Sequence, residues 1–178
     1  TDTLARFGRR PPKEFVTHRF ELCPTHKERN DTAPPIVLHL RGGDFEGWKP
    51  GAVLGEQYYR DALAFVDENG FGESSVRICT DDERHPALPG LRQFLAQTHR
   101  IVPAEGCEGP FSCDYAALIQ APRVVSSPST FAITAGLIGG GGVIHNKAWV
   151  DSRIEAGEAF WHAVRDNSVV GYDVLAEV

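Results

Sequence analysis

The sequence predicts an α/β fold, a Rossmann-like parallel sheet with helices on both faces. Two observations carry that prediction. From residue 36 onward, short apolar runs of strand-forming residues alternate with segments whose apolar positions recur at helical spacing. The runs are also nearly continuous rather than half polar, as expected of strands covered on both faces of a sheet.

The first run, IVLHL at 36–40, reads as a strand. GEQYYRDALAFVDENG at 55–70 follows as a helix, because Tyr58, Tyr59, Ala62, Leu63, Phe65 and Val66 fall mostly on one face and Gly70 can cap its end. VRICT at 76–80 is a second strand, LPGLRQFLAQTH at 88–99 a helix and RIVP at 100–103 a third strand. CDYAALIQAP at 113–122 is a short helix stopped by Pro122, and RVVSS at 123–127 is a fourth strand. STFAITAGLIG at 129–139 is a helix, GVIH at 142–145 a fifth strand and RIEAGEAFWHAVRDN at 153–167 a last helix.

Residues 1–35 differ in kind. They are rich in Arg, Lys, Pro, Thr and His and lack periodicity, which predicts an N-terminal arm or the remnant of a missing acceptor domain ahead of a nucleotide-binding domain over 36–178. The 178 residues suffice for one domain with a substantial core. A hydrophobic fraction of 42% and a charged fraction of 24% are ordinary for a globular protein. A net charge of −6 argues against nucleic acid as partner, while leaving room for one local basic pocket for a small anion. The longest apolar run, FAITAGLIGGGGVI, is broken by glycines, so no membrane span is expected. Cys23, Cys79, Cys107 and Cys113 show neither a C-x-x-C pair nor matched His spacing. They read as reduced cysteines of a cytoplasmic protein, with no metal site.

In open parallel sheets the ligand crevice lies at the carboxyl ends of the strands. There the sequence places Arg41 and Asp44 after the first strand, and Thr80, Asp81 and Asp82 after the second. Ser126, Ser127, Ser129 and Thr130 follow the fourth strand, and His145, Asn146 and Lys147 the fifth. SSPSTF leads directly into a helix, whose unpaired N–H groups and positive dipole end suit a phosphate, though Ser127 or Ser129 could equally be a simple N-cap. Arg41 supplies a planar, permanently charged fork that matches a diphosphate, and Gly42 and Gly43 let backbone approach a ligand. Asp81 and Asp82 admit three readings: acceptors for a ribose or a guanine edge, metal ligands together with Asp44, or a cap of the next helix. His85, His99 and His162 have no partner carboxylate at useful spacing and read as surface or packing residues. Trp149 reads as packing or as a wall of a sugar pocket, and Trp48 lies close enough to Arg41 to face an acceptor.

HLRGGDF, LGEQYYRDAL, VRICTDD, VVSSPSTFAITAGLIG and VIHNKAWV, in this order over residues 36–150, resemble the donor-nucleotide domain of the fucosyltransferase superfamily. That group holds bacterial α1,2-fucosyltransferases, α1,6-fucosyltransferases and protein O-fucosyltransferases. The resemblance implies the carboxyl-terminal, Rossmann-like half of a GT-B enzyme that binds GDP-fucose without a metal or other cofactor. It implies that Arg41 contacts the β-phosphate, that His39 shapes the nucleotide pocket beside Gly43, and that Asp81 or Asp82 recognises guanine. By the same resemblance Ser129, Thr130 and Phe131 hold the phosphates, and Ser127 at the same helix start is a further candidate donor-binding residue. The nearest general bases by sequence are Asp44 and Glu46. Two positions depart from the family pattern: Gly42 stands where many relatives carry a second arginine, and Ala132 where a serine is common.

The expected function is transfer of fucose or a related sugar from a GDP-sugar to a glycan or other hydroxyl acceptor, by inversion. The alternatives are a nucleotide-sugar-binding module without activity of its own, completed by a partner chain or missing domain, and a metal-dependent phosphohydrolase built on Asp44, Asp81 and Asp82.

Overall fold

The structure, a computed structural model, describes residues 35–48, 51–68, 75–102, 110–139, 142–158 and 172–175. The expected arm over 1–35 therefore lies, but for Pro35, outside the described residues. So do Gly70, Cys23, Cys107, His162 and most of the expected helix over 153–167.

The described elements run β1 (Ile36–Leu40), α1 (Asp44–Trp48), α2 (Glu56–Val66), β2 (Val76–Thr80), α3 (Leu88–Thr98), α4 (Pro110–Gln120), β3 (Arg123–Ser126), α5 (Thr130–Gly139), β4 (Gly142–Asn146), α6 (Lys147–Glu155) and β5 (Tyr172–Leu175). The strands form one sheet in the order β2-β1-β3-β4-β5. Every pairing is parallel. This is the α/β Rossmann-like architecture that the alternating pattern predicts.

Four details differ from the sequence reading: α1 was not expected, α6 begins at Lys147 and not at Arg153, and two concern strands. Of the expected strand RIVP, the described residues 100–102 contribute a parallel bridge between Ile101 and Val76 on the outer side of β2, through Val76 N–H to Arg100 O and Val102 N–H to Val76 O. With apolar residues at only two of its positions, this segment is too short to extend the ladder. The fifth strand of the sheet is instead Tyr172–Leu175, which the sequence reading passed over.

Strand periodicity decides how the two faces are covered. Ile36, Leu38 and Leu40 pack with Tyr59, Leu63, Leu91 and Leu95, placing α2 and α3 on one face. Val37 joins Leu118, Ala132, Ala135, Val124 and Val143, placing α4 and α5 on the other. Alternate side chains of a strand must point to opposite faces, and here both faces are apolar, so β1 and β4 are buried along their whole length. Tyr59, Ala62, Leu63 and Val66 form the buried stripe of α2 at positions i, i+3, i+4 and i+7. Ala132 is fully buried in the α5 layer, where a serine hydroxyl would need a partner.

The α4/α5 layer sits close to its neighbours because α5 carries glycines where it touches them. A Cβ at Gly136 would fall 2.0 Å from Val143 Cγ2, and one at Gly139 would fall 1.9 Å from the Ile119 carbonyl oxygen. These two positions set the depth of α5 on the sheet, and with it the place of its first turn.

Candidate functional site

Chain order and sheet order together locate the crevice. The chain passes from β1 to β2 on one side, then crosses back to β3 on the other side of β1. The connections after β1 and β3 therefore leave toward opposite faces, and the gap at their carboxyl ends is a topological switch point, where open α/β sheets bind ligands. Arg41 and Ser127 stand on its two rims.

Hydrogen bonds hold the rims together. Ser127 N–H donates to the His39 carbonyl at 2.9 Å. The Arg41 N–H donates to Ser127 Oγ at 3.0 Å. The same hydroxyl lies 3.0 Å from His39 Nδ1. Ser127 is fully buried, so its hydroxyl fastens the two connections to one another. Ser129, 6% exposed, occupies the N-cap position of α5, its carbonyl accepting from Ile133 N–H at 3.2 Å. Thr130 is exposed at the first helical position. Phe131 lies 5.8 Å from the His39 ring, centroid to centroid. Thus His39, Arg41, Ser127, Ser129, Thr130 and Phe131 come together around one strand-end gap.

The connection after β1 is built by the two aspartates after β2. Asp81 Oδ1 accepts from Gly42 N–H at 2.9 Å, and its other oxygen pairs with Arg41 Nη1 at 2.7 Å. Asp82 Oδ2 accepts from Gly43 N–H at 3.1 Å, and its Oδ1 from Arg84 N–H at 2.9 Å. Those amides, Arg84 first and then Gly43, hold the Asp82 carboxyl below the usual carboxylate range. Gly43 takes a φ of +53°, which suits glycine. Gly42 has a different reason to be glycine, because a Cβ there would lie 2.9 Å from Asp82 Cβ and 3.2 Å from His85 Cδ2. A second arginine at position 42 has no space beside these neighbours. Both aspartates thus spend hydrogen bonds on shaping the Arg41–Gly43 turn.

Of the two roles expected for His85, surface or packing, the structure shows packing: it is 1% exposed and part of this construction. Its Nδ1 accepts from Ala87 N–H at 3.2 Å, so the neutral ring carries its proton on Nε2, and burial lowers its pKa against the opposing pull of Asp82 and the Arg41 backbone. Nothing local in DDERHP signals this role; it emerges only when Gly42 lies against the ring.

The Arg41 guanidinium is multiply engaged. Besides Asp81, its Nη2 pairs with Asp44 Oδ1 at 2.9 Å, and its plane lies 4.8 Å from the Phe45 ring centroid. Phe45 meets Trp48 edge to face at 5.0 Å, and Trp48 remains 57% exposed. Glu46 is exposed on the same short helix. On the other side of the gap a second aromatic row runs from Phe131 to Phe111 at 4.8 Å and to Tyr115 at 4.9 Å. Because α4 runs antiparallel to the β3 that follows it, its first residues lie at the same sheet edge as Thr130. Phe111 there is 72% exposed.

Sequence reasoning also missed a buried pair beneath the site. Arg77, 2% exposed, pairs with Asp114 Oδ1 at 3.2 Å. Cys79 beside it is a free thiol that burial pushes well above its ordinary pKa, which makes it unreactive. The single carboxylate within the otherwise apolar CDYAALIQ segment was the available signal. Cys113 is disulfide-bonded, unlike the four reduced cysteines expected. Trp149 belongs to α6, whose N-cap Asn146 accepts from Trp149 N–H at 2.9 Å, and Arg153 lies 5.5 Å from its ring. It packs within its own helix.

Two histidines under the site make it acid-sensitive. Burial lowers His39 to about 4, with Asp81 opposing and Arg41 adding to the shift. Burial, then His39, lowers His145 to about 3. Both lie below the ordinary value of 6.5, so the unfolded chain takes protons first. Their stabilising contribution is full above about pH 6.5 and fades as pH falls toward 4, on the order of 3 kcal/mol for His39. We expect the melting temperature to drop across that window, with both imidazoles still neutral by NMR at pH 5. Titration of either ring near 6.5 in the folded protein would contradict the burial described.

Among the described residues, no helix is long and apolar enough to cross a membrane, and no group of three His, Cys, Asp or Glu side chains converges as a metal site. No family model matches the chain, and no curated protein sequence matches it significantly.

Proposed function

We propose that the protein is a glycosyltransferase that moves fucose or a related sugar from a GDP-sugar to a hydroxyl of a glycan acceptor, with inversion and without a metal. The observation that carries this reading is the hydrogen bond from Arg41 N–H to Ser127 Oγ across the switch point. It ties the backbone that carries Arg41 to the connection that leads into α5, and a diphosphate in the gap would draw on the fork for one phosphate and on the first N–H groups of α5 for the other.

The chemistry follows from that pair. In an inverting transfer the acceptor oxygen forms a bond to the anomeric carbon as the bond from that carbon to the β-phosphate oxygen breaks. The sugar passes through an oxocarbenium-like state and negative charge collects on the departing diphosphate. Arg41 and the N–H groups at the start of α5 stabilise that charge, which is the largest contribution available here. The acceptor proton passes to Asp44 or Glu46, the carboxylates on the helix that follows Arg41. Asp81, Asp82 and His85 act through the turn that they shape. The engagement of Asp44 and Asp81 with Arg41 places a cation where the phosphohydrolase alternative needs a metal.

The test is calorimetric titration with GDP, UDP and ADP in the presence of EDTA, Mg²⁺ or Mn²⁺. Tight GDP binding indifferent to EDTA is the expected result, and strict metal dependence would sink the reading. GDP release from GDP-fucose with glycan acceptors then separates a transferase from a binding module. A Cys113 disulfide fits an oxidising compartment better than the cytoplasm, and the expected location shifts accordingly.

A further inference from the structure

We infer that Asp44 is an internal occupant of the anion seat on Arg41, and that a ligand's phosphate takes the seat by displacing this carboxylate. The inference rests on the reading of Arg41 as a phosphate-binding residue and adds how that seat selects its ligand.

Two carboxylates share the guanidinium, and they are not equivalent. Asp81 faces Arg41 Nη1 with one oxygen and accepts Gly42 N–H with the other, so moving it would undo the turn. Asp44 faces Nη2 from three residues further along, at the start of a five-residue helix, and its side chain is 72% exposed against 35% for Asp81. A water-surrounded pair of this kind contributes little and re-forms easily. Rotation of the Asp44 side chain frees Nη2 without disturbing any backbone bond of the turn.

With both carboxylates in place the cluster of one cation and two anions carries a net negative charge. A phosphate arriving beside it is repelled until Asp44 leaves. A singly charged group gains from Arg41 no more than the carboxylate it replaces. A diphosphate gains more, because the phosphate next to the one on Arg41 carries a further charge to the donors of α5. Asp44 therefore sets a charge threshold that favours diphosphates over monoanions. Phe45, under the guanidinium at 4.8 Å, keeps the fork in place when the carboxylate departs.

Asp44→Asn tests this directly, because it removes the charge and keeps the shape. Calorimetry of the full chain with inorganic pyrophosphate, GDP and GMP should show about fivefold tighter binding of pyrophosphate and GDP. The gain for GMP should be smaller, and Asp44→Glu should bind like the wild type. Asp44→Ser carries the same expectation as Asp44→Asn if the latter folds poorly. Wild-type protein that binds pyrophosphate while both neutral variants bind it no tighter would overturn the inference and leave the phosphate reading intact. Failure of wild type and variants alike to bind pyrophosphate or GDP would overturn both. Tighter binding by the neutral variants, together with no sugar transfer by the wild-type protein, would uphold the seat and reject the transferase reading.

Discussion

Arg41→Ala should weaken GDP binding by roughly a hundredfold and GMP binding only slightly. The difference of about 3 kcal/mol is what charge-assisted hydrogen bonds from one guanidinium to a β-phosphate are worth. The substitution is clean for structural reasons. The bond to Ser127 comes from the Arg41 backbone N–H, which alanine retains, and the turn is held by Asp81 and Asp82 through the amides of Gly42 and Gly43. What disappears is the fork itself. Asp44 and Asp81 then face the gap without a cation between them, which adds repulsion to the loss of donors. GMP depends on the start of α5 rather than on the fork. Equal losses for the two nucleotides in calorimetry would remove Arg41 from the β-phosphate.

Gly42→Ala should be nearly as damaging, although it adds one methyl group. The new Cβ would stand 2.9 Å from Asp82 Cβ, an atom close to the backbone that cannot swing aside. His85 Cδ2 and Asp82 Oδ2 close the other directions at 3.2 Å. Asp82 must move, and its carboxylate then loses the Gly43 and Arg84 amides. Overpacking of this kind costs about 2 kcal/mol, or roughly 4–8 °C of melting temperature for a chain of this size. GDP affinity should fall about tenfold in the same protein, because the turn carries Arg41. Unchanged melting and unchanged GDP binding would show that the turn relaxes freely. The expected loss would account for glycine at this position, since His85 and Asp82 fill the volume that a larger side chain would need.

Most of the sheet was legible because both faces are covered. IVLHL and GVIHN are buried throughout and mostly apolar, as a strand packed on both sides requires. Short elements were not legible. DFEGW forms a single helical turn none of whose residues is buried, so no periodic stripe announces it. RIVP has strand-like composition but only an outer edge to join, and forms one bridge.

The site divides along the same line. The strand-end positions of Arg41, Asp81, Asp82, Ser127 and Ser129 were readable, because they follow apolar strands of a parallel sheet. The task of each carboxylate was not readable, since hydrogen bonds from Asp81 and Asp82 to the amides of residues 42 and 43 depend on register between β1 and β2. That register pairs Leu40 with Thr80, which brings the two connections side by side. His85, Phe111 and the Arg77–Asp114 pair were silent for a similar reason. Each acquires meaning from a neighbour distant in sequence.

The account depends on one hollow shared by the Arg41 fork and the first turn of α5. Two-dimensional ¹H–¹⁵N NMR of the labelled protein during GDP titration reads both groups at once. The account predicts that the Arg41 side-chain Nε–H and the amides of Ser129, Thr130 and Phe131 shift together, with one saturation curve. GDP that shifts one of these groups while leaving the other unmoved would contradict it.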